Sequence, residues 1–361
     1  MKVLFVSRPT IFSIPGGDTI QMQFTAKYLR QLGVEVDILS DSLTPQYEEY
    51  DLVHYFNITR PAVILDSIRA SSKPYILSPI FVDYGFYRHL NQKKLFCFLT
   101  RMFGSDGIEY LKTIAKHLFK DEKIPYIPYL WLGQKKSIQK ILKNAACLLP
   151  NSLSENARLQ ASYQVERPFT VIPNGVDLNK FKTTAKPIRQ KKQLICVARI
   201  EPMKNQLNLI KAIQGSDYQL KIIGDSAPNH NNYYQECKKT AGENVEFIAR
   251  IPQEELVAHY LTAEVHILPS WFETTGLVSL EAAYLGCKVV ISPKGDTKDY
   301  FKDYAYYCQP DSPESIRAAI DQAVEAAYSP LLRNLIIKEY NWQNAAKLTY
   351  TAYSNILNTK G

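Results

Sequence analysis

Short apolar, β-branched runs recur along the chain at intervals filled by segments of helical spacing: KVLFVS 2–7, VEVDILS 34–40, LVHYF 52–56, PYILSP 74–79, ACLLP 146–150 and FTVIP 169–173. A second series follows: QLICVA 193–198, YQLKIIG 218–224, VEFIA 245–249, VHILPS 265–270, KVVIS 288–292 and AYYC 305–308. Nearly continuous apolar strands alternating with helices predict βαβ units on parallel sheets, because a strand covered on both faces has no polar side to display. Between the two series, NKFKTTAKPIRQKK 179–192 is polar, basic and poor in large apolar residues, as a linker is. The pattern therefore predicts an α/β protein of two doubly wound domains, 1–185 and 186–340, divided near residue 186. A final amphipathic helix occupies 341–361, in NWQNAAKLTYTAYSNIL. Helix starts are marked by Ser152 with Glu155, a capping box, and by Ser312 followed by Pro313 and Glu314.

Length and composition are consistent with this scheme. At 361 residues the chain exceeds what one core usually serves. It is 46% hydrophobic and 22% charged, an ordinary balance for a soluble globular protein, and no apolar run is long enough to span a bilayer. MKVLFVSRPT reads as a first strand and not as a signal peptide, which points to the cytoplasm. Six cysteines without a C-x-x-C pair read as buried reduced thiols. The six histidines show no ligand spacing, so no metal site is expected.

Charge changes the picture more. Of the net +8, residues 1–185 hold 23 basic against 16 acidic side chains, and the remainder 20 against 19. The excess gathers between Arg88 and Lys143, with 12 basic and 4 acidic residues interleaved with Phe96, Phe98, Phe103, Phe119, Tyr126, Tyr129 and Trp131. Such a stretch suits an anionic membrane surface, and equally a set of helices with solvated lysine faces. No nucleic-acid module is recognisable, so nucleic acid is not the expected partner.

Candidate chemistry lies in the loops after the strands, since ligands of open parallel sheets bind beyond the carboxyl ends. PSWFETTGLVSLEAAYLGCKVVIS 269–292 puts Glu273 and Glu281 eight residues apart with Gly276 between. The separation alone carries nothing, since Glu246 and Glu254 share it without any glycine between them. Context carries it: a helix start near Gly276 offers free amides to a phosphate, and Gly276 lets a ligand approach the backbone. Arg199 and Lys204, in the loop after QLICVA, supply the cations that would offset two carboxylates beside a diphosphate. Each of these groups alone reads more readily as a surface charge; together, at the ends of two strands, they favour a diphosphate site.

VARIEPMKNQLNLIKAI, the two-glutamate segment and VIPNGVDLNKF resemble the signature segments of the retaining nucleotide-sugar glycosyltransferases called glycosyl transferases group 1. The resemblance implies the GT-B fold, two Rossmann-like domains facing a cleft, with the last helix packing back on the first domain. It implies a nucleotide-sugar donor, with Arg199 and Lys204 neutralising the diphosphate and Glu273 contacting the transferred sugar. Glu281 would bind the ribose, amides near Gly276, Leu277 and Val278 would hold phosphate, and the strand end around Arg250 would flank the base. Gly16 and Gly17, in FSIPGGDTIQ, would approach donor and acceptor. No metal or other cofactor is expected, because the cations and the helix start take that role. The acceptor would be a glycan or a polyprenyl-linked glycan, met in surface polysaccharide synthesis at the inner face of the membrane. Many relatives carry a histidine after the fourth strand; here Ser78 and Pro79 stand there, with Asp83 a candidate substitute and His54 a packed residue. That departure leaves open a catalytically silent nucleotide-sugar-binding subunit. A nucleotide-sugar epimerase of the same fold is disfavoured by the motifs.

Overall fold

The computed structural model describes residues 1–12, 16–39, 45–82, 104, 106–115, 126–183, 185, 187–227 and 229–358. It divides into two units, Met1–Pro173 with Trp342–Gly361, and Asn174–Asn341. The division falls ahead of the boundary expected near residue 186. Val176 and Phe181 already belong to the core of the second unit, and the Val176 amide donates to Tyr340 O at 2.9 Å. A polar stretch marks where the surface runs, not where packing changes allegiance.

The first unit is a five-stranded parallel sheet in the order β2-β1-β3-β4-β5. Its strands are β1 (Lys2–Val6), β2 (Glu35–Ile38), β3 (Leu52–Phe56), β4 (Tyr75–Ser78) and β5 (Cys147–Leu148). Every residue of β1 but the first is buried, and all of β3 and β4 are, which explains their unbroken apolar runs. The expected sixth strand at 169–173 is reduced to a single bridge between Leu148 and Phe169. Pro168 and Pro173 enclose it, and neither has an amide to donate.

Two polar clusters are buried in this unit. Glu155, fully buried, does more than cap: Ser152 Oγ accepts from its amide at 2.9 Å, while its carboxylate accepts from the amides of Asn151 (2.6 Å) and Phe81 (2.7 Å). His54 lies in the middle of β3, between Phe5 and Phe56. Its Nδ1 is 2.6 Å from Tyr353 Oη and its Nε2 2.9 Å from Ser78 Oγ, so it ties the helix Trp342–Asn358 to the centre of the sheet. Burial pushes its pKa down to about 3, and the ring is neutral.

The second unit is a six-stranded parallel sheet, β11-β10-β9-β6-β7-β8. The strands are β6 (Gln193–Val197), β7 (Gln219–Ile223), β8 (Val245–Ile248), β9 (Val265–Leu268), β10 (Lys288–Ile291) and β11 (Tyr306–Tyr307). Cys196, Cys237, Cys287 and Cys308 are buried here as free thiols, Cys147 in the first unit; Cys97 lies outside the described residues. Among the described residues no helix is long and apolar enough to cross a membrane.

Tyr353→Phe would strip His54 of one partner in a site that water does not reach. The expected loss is about 1–2 kcal/mol in urea unfolding; an unchanged midpoint would show that the ring is held by packing alone.

Candidate active site

Chain order runs outward from β6 through β7 to β8, then returns to the other flank of β6 at β9 and continues to β10 and β11. The reversal lies between β6 and β9, which pair at Leu194 with Val265 and Ile195 with His266. Loops leaving two neighbouring strands on opposite faces part at such a point and open a crevice. Arg199 and Lys204 follow β6; Glu273 and Gly276 follow β9.

The loop after β6 is a short 3-10 turn, Pro202–Lys204, closed by Asn205 in the left-handed region. Asn205 Nδ2 donates to Pro269 O (3.1 Å) and Pro310 O (2.6 Å), and the Trp271 amide donates to Met203 O (2.9 Å). Those contacts lock the two loops together and bring Lys204 Nζ within 2.6 Å of Glu273 Oε1. Their side chains are 21% and 10% exposed, so the pair is only partly wet and salt screens it weakly. Arg199 is arranged differently: its side chain is 54% exposed and rests 3.3 Å from Glu201 Oε1.

Glu273 is also gripped from β10. Its amide donates to Lys294 O at 3.2 Å, and its carbonyl accepts from the Asp296 amide at 2.8 Å. Gly295 makes this possible: its φ is +91°, and a Cβ there would stand 2.1 Å from Glu273 O. The helix Leu277–Tyr284 then starts from Gly276 at φ 74°, with Asn174 Nδ2 donating to Thr275 Oγ1 at 3.1 Å. The PNG segment is therefore a brace for this turn. The Ser279 and Leu280 amides are satisfied by Gly276 O, while those of Leu277 and Val278 have no acceptor among the described residues. Such amides, at the positive end of a helix, suit an anionic oxygen.

Glu281 lies one turn further on and is buried, its Oε1 accepting from Gln253 Nε2 at 2.6 Å. Burial raises its pKa to about 8, outweighing the Gln253 hydrogen bond and the more distant Lys180. The group is thus protonated at neutral pH in the free protein, where the sequence suggested a carboxylate. His266, fully buried in β9, holds Ser279 Oγ at 2.9 Å and braces the same helix from below. Arg250 follows β8, at the far edge of the sheet with β7 between it and β6; its amide donates to Asp225 Oδ1 at 3.0 Å and its side chain is exposed.

The structure thus brings Lys204, Glu273 and the helix start of Gly276, Leu277 and Val278 together. Arg199 stands at the same strand end, Glu281 inside the same helix, and Arg250 on another loop of the same sheet edge. Gly16 and Gly17 belong to the first unit, where Gly16 caps the helix Gly17–Gln31. There the Gly16 amide is taken by Thr19 Oγ1 (3.0 Å), and Asp18, bound by Arg8 at 2.6 Å, accepts from the Thr19 amide at 2.9 Å. Burial works to raise the Asp18 pKa, but hydrogen bonds from Arg8 and Asn57 lower it on balance. Asp83 lies outside the described residues. Asn205, Gln253, His266 and Gly295 escaped the sequence reading; of these only Gly295, in the turn-like SPKGD after a strand, left a signal.

Fold and site define a doubly wound α/β protein with an ion pair and a helix start gathered at its switch point. Residues 179–342 match the family Glycosyl transferases group 1. Over its full length the chain is 22% identical to an uncharacterized glycosyltransferase of Methanocaldococcus jannaschii, both chains being covered completely. It is 28% identical to the D-inositol 3-phosphate glycosyltransferase of Corynebacterium glutamicum over 44% of this chain and 43% of that one. Sucrose-phosphate synthase from Thermosynechococcus elongatus superimposes with a TM-score of 0.75 at 16% identity, covering 99% of this chain and all of that one. The Anabaena protein HepE, solved with UDP and glucose, gives 0.69 at 14% identity over 98% of this chain and 100% of its own. The fold is GT-B. The family match spans nearly the whole of the second unit, and the chain is a glycosyltransferase.

Two outcomes follow from this geometry. Gly295→Ala should cost about 3 kcal/mol by chemical denaturation, because the added methyl meets a carbonyl in a backbone region alanine avoids; a cost below about 0.5 kcal/mol would refute the clamp. Glu281 holds a proton in the folded state between the usual carboxyl range and about pH 8, where the unfolded chain does not. Stability should therefore fall as pH rises through that window, by on the order of a few kcal/mol, and Glu281→Gln should flatten the dependence.

Proposed function

We propose that the enzyme moves a sugar, with retention, from a nucleotide diphosphate donor to a glycan or polyprenyl-linked acceptor in surface polysaccharide synthesis. The observation that carries this reading is the Lys204 and Glu273 pair at the β6/β9 reversal, beside the unengaged amides of Leu277 and Val278. In the transfer, the bond from the anomeric carbon to the diphosphate oxygen breaks and the electron pair leaves with the diphosphate. Negative charge grows on that leaving group, where Lys204, Arg199 and the helix start can stabilise it. These groups supply the counter-charge that a metal would otherwise supply, so no metal or other cofactor is proposed.

Glu273, held against Lys204, would accept from sugar hydroxyls, and Glu281 would hydrogen-bond the ribose. Gly276 would let phosphate approach the amides of Leu277 and Val278, Arg250 would flank the base, and Gly16 and Gly17 would contact donor and acceptor. Attack from the face the diphosphate leaves, with the acceptor proton passing to the departing phosphate, needs no protein nucleophile. The HepE complex with UDP and glucose supports a nucleotide-sugar donor by likeness of fold. The enzyme would work in the cytoplasm, meeting a lipid-linked acceptor at the inner membrane face.

One observation favours a second reading, a silent nucleotide-sugar-binding subunit. Ser78 stands where many relatives have a histidine, and its hydroxyl is buried against His54 Nε2 at 2.9 Å. A screen of nucleotide sugars by thermal shift, followed by assay of nucleotide release with acceptor, separates the two. Binding without release under any donor and acceptor pair would establish the silent subunit; binding to none would sink both.

The two cations should fail differently. Arg199→Ala should abolish transfer and weaken donor binding while changing stability by less than about 0.5 kcal/mol, since the side chain is mostly in solvent. Lys204→Ala should lose transfer and also about 2–3 kcal/mol of stability, because Glu273 is left buried without its partner. Wild-type donor affinity in both variants would overturn the site.

A further inference from the structure

We infer that the first unit docks on an anionic phospholipid surface through the face of residues 127–143, with Trp131 and Ile127 entering the lipid interface. The inference deepens the reading of a lipid-linked acceptor and rests on it for its purpose, not for its chemistry. Trp131 is 79% exposed, more than any other large hydrophobic side chain among the described residues, and Ile127 is 62% exposed. The Leu130 amide donates to Ile127 O and the Trp131 amide to Pro128 O, so the segment turns as a helix and places Ile127 and Trp131 on one side. Tyr126 and Tyr129 point the other way and are buried, Tyr129 Oη donating to Gln134 Oε1 at 2.7 Å. The outward pair is thus held on a fixed base.

Gly133, at φ 68°, breaks the helix just after Trp131, and the second part carries Lys135, Lys136, Lys140 and Lys143, all exposed. From Tyr126 to Ser154 the chain has those four lysines and no carboxylate. Among the described residues, Asp106 accepts from Tyr163 Oη at 3.0 Å and Glu109 from Lys112 at 2.7 Å. Lys140 donates to Tyr126 Oη at 3.1 Å, which holds its ammonium in place on the same helix.

This composition selects lipid over other partners. Indole seeks the boundary between headgroup and acyl chain, and lysine stems can lie along apolar surface while the ammonium reaches phosphate. Protein interfaces favour arginine and are depleted in lysine, the reverse of what this face offers. The phenylalanines of the basic stretch, Phe96, Phe98, Phe103 and Phe119, lie outside the described residues.

The test is sedimentation of the full chain with vesicles of phosphatidylcholine alone and of phosphatidylcholine with phosphatidylglycerol. Binding is expected only with the anionic lipid, and it should fall as salt rises from about 0.1 M to about 0.5 M. The double variant Ile127→Ala, Trp131→Ala, checked for fold by circular dichroism, should bind at least about tenfold more weakly. Bromine-labelled acyl chains should quench the fluorescence of the wild type, and Trp131→Phe should abolish that quenching although Trp271 and Trp342 remain. Absent binding, equal binding to neutral vesicles, an unaffected double variant, or self-association through this face in sedimentation velocity would each overturn the inference. Donor-induced thermal shift without vesicles is expected to be the same in variant and wild type. In the wild type, absent vesicle binding with the shift retained defeats the docking alone, and an absent shift with vesicle binding retained defeats the transfer reading alone.

Discussion

Lys204 and Glu273 hold each other at 2.6 Å from loops 69 residues apart in sequence, and the second unit's site is arranged around that contact. An ammonium and a carboxylate taken largely out of water are costly unless they stay together with good geometry. The loops are accordingly over-determined. Asn205 ties one to Pro269 and Pro310, Gly295 admits the backbone of the other, and Asn174 steadies the turn that follows. A pair neutralised in this way keeps its ammonium at a fixed place beside the helix start.

Burial sets protonation elsewhere, and it acts oppositely on acids and bases. His54 and His266 are driven neutral by the same desolvation that keeps a proton on Glu281. Both histidines serve as neutral hydrogen-bonding struts, one holding Ser78 and Tyr353, the other Ser279. Asp18 is the counter-example, an acid whose burial is outweighed by Arg8 and Asn57. Partners decide the charge state of a buried group as much as depth does.

The two units share one design. In each sheet the chain proceeds to one side and then returns past its starting strand, at β1/β3 in the first and β6/β9 in the second. In each, ion pairs and helix starts collect at the reversal: Arg8 with Asp18 and the helix from Gly17, Lys204 with Glu273 and the helix from Leu277. The similarity has a geometric cause, since only there do adjacent loops leave room for polar groups to converge.

Alternation of apolar runs and helical spacing was enough to place eleven of the strands, and the Gly276 context was enough to place Glu273 just ahead of a helix start. Both are local properties: a strand buried on two faces must be apolar throughout, and a helix start beside a glycine can be read within a few residues. The order of the strands, the pairing of Lys204 with Glu273, and the brace from Asn174 to Thr275 were decided only by tertiary structure. So were the division at Pro173, the loss of a strand at 169–173, and the proton on Glu281. Each of these depends on which distant segment comes to lie alongside, and on how much water that neighbour removes, and neither quantity is carried by residue types in a local window.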